Sequence, residues 1–126
     1  MNIITSQYLR ENPNHVFVFG DNLLRKGLGG AAKLRNEPNT YGFITKKYPN
    51  NKNMSFYKPE EYRPIFQSEL IKFVDHITFN YDKLFLVSKL GSGLANKYGI
   101  YEFIIHPTFI NLDKLHSNIQ LINNWT

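Results

Sequence analysis

Two apolar runs, each closed by a glycine-rich turn, constrain this chain more than anything else in it. His15-Val-Phe-Val-Phe19 stops at Gly20-Asp21-Asn22, and Lys83-Leu-Phe-Leu-Val-Ser-Lys89 stops just before Gly91-Ser92-Gly93. Runs of β-branched and aromatic residues that end on such punctuation read as buried strands meeting turns. Tyr41 to Thr45 reads as a further strand and Asn118 to Ile122 as a last one. Helical patterns lie between them. Good helix formers, Ala31 to Arg35, follow Lys26-Gly-Leu-Gly-Gly30. From Pro59 to about Phe79, Phe66, Leu70, Phe73, Val74 and Ile77 recur at helical spacing, with Glu69, Lys72, Asp75 and His76 mostly on the other side. Pro59, Glu60 and Glu61 suit that helix's start. The asparagine-rich stretch from Lys46 to Pro59 reads as a long polar loop, and a helix is expected from Tyr98 that Pro107 ends or kinks. Strand and helix in alternation predict an α/β layered domain with a parallel or mixed sheet.

Composition bounds what such a domain can do. With 126 residues, 42% hydrophobic and 15% aromatic, one domain has enough apolar material for a core without staples. Zero cysteines exclude a disulfide framework, a thiolate zinc site and a cysteine nucleophile. His15, His76, His106 and His116 form no i, i+4 pair, so neither a metal nor a cofactor is expected. Met1 to His15 has no basic stretch leading into an apolar one, and no apolar run approaches the roughly 20 residues that span a bilayer. The expectation is a soluble, cytoplasmic protein without a membrane partner.

Charge is unevenly placed. The net excess is +5, yet the segment from Arg25 to Arg63 contains nine basic and three acidic residues. A positive sector favours an anionic partner, whether nucleotide phosphates, a nucleic acid backbone or an acidic protein, or it is simply a solvated face. Tyr41, Tyr48, Phe56 and Tyr57 interleave with it, which suits stacking of bases or packing of the long loop.

The two glycine loops belong where α/β sheets bind ligands, beyond the carboxyl ends of strands. Glycine at Gly27, Gly29 and Gly30 lets backbone N–H groups approach an anion, and Gly91 and Gly93 offer the same from a second loop. Neither loop has the Gly-Lys-Ser/Thr ending of a P-loop, and Ser92 is not in nucleophile-elbow spacing.

Val18-Phe-Gly-Asp-Asn-Leu-Leu-Arg-Lys-Gly-Leu-Gly-Gly-Ala-Ala32 resembles the first ligand loop of macrodomains, and Leu90-Gly-Ser-Gly-Leu94 resembles their phosphate-cradling second loop. With Ile44-Thr-Lys-Lys47 between them, the likeness is nearest to the terminal ADP-ribose protein-glutamate hydrolase branch and to small macro-like proteins of phages and bacteria. The resemblance implies a single macro-like domain over residues 1–126 with its core at about 16–122: three layers, with a mixed, largely parallel sheet flanked by helices. It implies binding of ADP-ribose or a related NAD-derived nucleotide, with Asn22 near the distal ribose, Gly29, Gly30 and Ala31 along the diphosphate, and Gly91, Ser92, Gly93 and Leu94 closing over it. Lys46 falls where that branch places a lysine attacking the anomeric carbon, chemistry that needs a lowered amine pKa. The acid expected after the second loop is replaced by Ala95, which leaves Asp21 as a candidate catalytic partner and glycohydrolase activity open. The alternative is a non-enzymatic basic module for nucleic acid or an acidic protein, such as a phage host-takeover or anti-defence factor acting in the host cytoplasm.

Overall fold

The computed structural model describes residues 3–125. Strand β1 (His15–Asn22) lies between β2 (Thr40–Lys46) and β3 (Leu84–Val87), and β4 (Ile119–Leu121) pairs with β3. The protein is α/β. All three pairings are parallel, so among the described residues the sheet is wholly parallel rather than mixed.

Pleating sends alternate side chains of β1 and β3 into two cores. Val16, Val18, Phe85 and Val87 join Phe43, Phe66, Phe73 and Phe109 beneath helices α2 (Pro59–Phe79) and α3 (His106–Leu115). Phe17, Phe19 and Leu86 face the other way, onto Leu34 and onto Ile4 and Leu9 at the short helix α1 (Ser6–Glu11). The thicker core centres on Phe73, whose ring lies 5.8–6.0 Å from those of Phe43, Phe85 and Phe109. Buried side chains extend from Ile4 to Trp125, beyond the 16–122 span.

The β1–β2 connection packs on the thin face, whereas α2 and α3 pack on the thick one. Right-handed crossovers demand this change of face, because the chain steps one way from β1 to β2 and the other way thereafter. The reversal opens a topological switch point between the carboxyl ends of β1 and β3.

Several local expectations are corrected. Gly20, Asp21 and Asn22 are the end of β1, not a turn, with a bulge between Asp21 and Asn22 where the pairing skips Thr45. Ala31 to Arg35 does not start an α-helix; Gly30–Leu34 is a single 3-10 stretch, too short to propagate and followed by an Arg35 side chain drawn elsewhere. The polar loop after Lys46 folds back through a 3-10 turn at Asn53–Ser55 and buries Phe56 and Tyr57. Glu69 is buried rather than on the polar side of α2, because its Oε1 accepts the Ile44 N–H (2.8 Å) on edge strand β2. The helix expected from Tyr98 begins as a wide π turn at Tyr101–Ile105, with the His106 N–H bonded to the Tyr101 carbonyl. Pro107 follows directly on that turn as the second residue of α3, so the proline marks the change of winding rather than an end of the helix. No helix of the described residues is long and apolar enough to cross a membrane.

Candidate functional site

A cleft of about 640 Å³ opens at the switch point. Its floor is Gly20, Thr45 and Ser88 at the strand ends; Ser88 is fixed by its hydroxyl, which donates to the Val18 carbonyl (2.7 Å). One wall is the first glycine loop with Asn22, Gly29, Gly30 and Ala31, and the other is the second with Gly91, Gly93, Leu94 and Ala95. Lys46 closes a third side, and Asn123 enters from the C-terminal segment. Trp125 anchors that segment through Nε1–H to the Val87 carbonyl (3.1 Å), and the Tyr101 hydroxyl donates to the Trp125 carbonyl (3.2 Å).

The first loop owes its shape to polar clamps. Asp21 is 4% exposed, and its carboxylate accepts from Arg35 at both oxygens, 2.9 and 2.7 Å. The same carboxylate takes the Asn22 N–H (2.8 Å) and a longer contact from Arg25 (3.5 Å). Arg35 also donates to the carbonyls of Gly27 (3.0 Å) and Lys26 (3.1 Å), tying the loop to the sheet. The Asn22 side chain donates to the Lys26 carbonyl (2.8 Å) and accepts the Leu24 N–H (3.0 Å). Both residues line the cleft, but their side chains are occupied in building the loop. Gly42 makes this possible, because a Cβ there would lie 2.3 Å from the Asp21 Oδ2.

At the heart of the loop the backbone is bare. A Cβ added at Gly29 or Gly30 would meet nothing within 4 Å, and the same holds for Gly93 across the cleft. Gly91 differs: its Cβ would lie 2.5 Å from Ile105 Cδ1, and its φ of +71° is in the left-handed region. It lines the cleft yet serves packing. Ser92 does not line it; the Ser92 hydroxyl turns back to the Lys89 carbonyl (2.7 Å). Leu94 is 70% exposed on the rim.

Three cations ring the cavity, Lys26, Lys46 and Lys89, and among the described residues none of them makes an ion pair. Burial pushes the Lys46 ammonium below its ordinary value; it contacts Asn51 Oδ1 (3.3 Å) and the Phe56 ring. Lys89 lies 5.2 Å from the Tyr101 ring centroid. Lys47, one residue past β2, does not line the cleft and pairs with Glu61 (2.9 Å). Among the described lining residues Asp21 is the sole carboxylate, so the cavity is cationic. No cluster of three or more His, Asp or Glu among the described residues could hold a metal.

Sequence reasoning missed Arg35, Gly42, Lys89 and Asn123. No local pattern distinguished Arg35 from Arg25, which stands nearer to Asp21 in sequence, and all four meet the site only through the fold. Residues 1–96 match the model of a family of unknown function, DUF7831, and the chain belongs to that family. No curated protein matches the chain, nor does any solved structure.

Proposed function

We propose that the protein is macrodomain-like and binds ADP-ribose or a related NAD-derived nucleotide in this cleft, with the diphosphate against Gly29, Gly30 and Ala31 on one side and Gly93 and Leu94 on the other. One observation carries the reading: two bare glycine backbones face a common cavity at the switch point, with Lys26, Lys46 and Lys89 as counter-charge and no free acid. Its volume lies within the roughly 300–1,000 Å³ of small-molecule sites. Resemblance of Val18 to Ala32 and of Leu90 to Leu94 to macrodomain loops supports the same ligand. Binding is favoured over turnover, because Asp21 is held by Arg35 and the position after the second loop is Ala95. The lowered pKa of Lys46 supports an attacking amine, and an acid to resolve the adduct would have to reach it from elsewhere.

Calorimetry and thermal shift with free ADP-ribose test the reading. Heat on titration and a melting temperature that rises with ligand are expected, with about 2.7 kcal/mol of stabilisation at a hundredfold excess over Kd. Neither signal at millimolar ligand overturns it. Glycohydrolase activity is tested separately: release of ADP-ribose from a modified glutamate must vanish in Lys46→Ala.

A further inference from the structure

Charge around the cleft mouth is handled in two ways. Arg25, Arg35 and Lys47 each pair with a carboxylate. Among the described residues Lys46, Lys58 and Lys97 form no ion pair; Glu61, three residues from Lys58, accepts that residue's backbone N–H and pairs with Lys47. These three ammonium groups rest on rings instead. Lys46 Nζ is 5.6 Å from the Phe56 centroid, and Lys97 Nζ is 5.8 Å from that ring and 5.9 Å from Tyr98. Lys58 Nζ is 5.8 Å from Tyr98. The result is one continuous row, Lys46–Phe56–Lys97–Tyr98–Lys58, that starts inside the cleft and runs out along the surface. Neutral amides steady it, Asn51 at Lys46 and Asn53 at Lys97, without cancelling charge.

Each cation–π contact is worth about 0.5–1 kcal/mol at exposed sites and fixes a flexible side chain. The carboxylate nearest the row, Glu61 by Lys58, is already paired with Lys47, so the row keeps an excess of positive charge and gains most when a polyanion lies along it. We propose that this row seats the phosphates of single-stranded nucleic acid, with the strand's end at the cleft mouth. A single strand fits for two reasons. It is flexible enough to follow a row that bends into a cavity, where the rigid phosphate rails of a duplex cannot follow. Its bases can also use the exposed ring of Tyr48, which an acidic peptide has no use for. The surface joins Lys97 and Tyr98 to the basic segment that ends at Arg63, and it does not depend on ADP-ribose being the ligand of the cleft.

Fluorescence anisotropy of a labelled single-stranded oligonucleotide, titrated at several salt concentrations, tests this. Three lysine–phosphate contacts predict that log K falls against log salt with a slope of about −2, from roughly −0.7 per contact on single strands. The double variant Lys58→Gln/Lys97→Gln touches only exposed side chains outside the cleft. It should stay folded, with a melting temperature lowered by no more than the lost ring contacts, keep its response to ADP-ribose, flatten the slope to about −0.7, and lose at least tenfold in affinity at low salt. The proposal is overturned if the oligonucleotide does not bind at low salt, if the double variant binds it as the parent does, or if a duplex or a poly-glutamate chain binds more tightly. Oligonucleotide binding without any ADP-ribose response would sink the nucleotide reading of the cleft and leave this surface standing.

Discussion

In the first glycine loop, Gly29 and Gly30 have open space where a side chain would begin, whereas in the second Gly91 is pressed against Ile105 and Ile100. The first loop takes its shape from hydrogen bonds, chiefly those of Arg35 to Asp21 and to the loop carbonyls. The second takes it from apolar packing against the start of the last helix. Two loops that look alike in sequence therefore have different sensitivities. Gly29, with an extended backbone and open space, tolerates an added methyl, whereas Gly91, with a left-handed backbone and Ile105 against it, does not.

Arg35→Ala should have the largest effect. It leaves the buried Asp21 carboxylate with only the Asn22 N–H and a distant Arg25, and it should cost about 3 kcal/mol in urea denaturation. A loss under about 1 kcal/mol would mean that the first loop is not held by this clamp. Gly91→Ala comes next, at about 1–3 kcal/mol, because the new methyl would sit on a left-handed backbone and must displace the Ile105 side chain. Gly29→Ala sharpens the contrast: its backbone is already extended, so stability should stay within about 0.5 kcal/mol while ADP-ribose affinity drops. Equal destabilisation by the Gly29 and Gly91 variants would erase the distinction between the loops.

The smallest effect lies at the opposite end of the sheet. Burial and Lys83 hold the His76 imidazolium below its ordinary pKa, so the unfolded chain takes up this proton first. Stability from His76 is complete above the unfolded value of about 6.5 and is lost as pH falls from there through the folded value. His76→Gln should flatten the decline in melting temperature on acidification while leaving both loops' responses to ligand alone; an unchanged pH profile would show that this ring does not contribute.

The strands were legible because their apolar runs are continuous, and α2 because Phe66, Phe73 and Ile77 keep helical spacing over about three turns. The shared cleft was legible as well, since both glycine loops follow strands. Less was visible where a side chain serves something remote. Asp21 and Asn22 looked like ligand groups or turn formers, yet their partners are Arg35 and the loop's own backbone. Glu69 looked solvated, and only the position of β2 at the sheet edge explains its burial. Ser92 looked like a phosphate donor until its hydroxyl met Lys89. Lys97 reaches Phe56 across forty-one positions of chain, a contact that no local pattern encodes.

The wide turn at Tyr101–Ile105 has a further bearing on the cleft. It holds one residue more than an α-helical turn, and each residue advances a helix by about 100°. Across the splice Ile100 and Ile105, five positions apart, both reach the Gly91 loop, and beyond it Ile105, Phe109 and Leu112 follow at α-helical spacing along the same buried face. A one-residue deletion in the splice would swing Ile100 off that face, and the wall of the cleft behind Gly91 would lose its plug.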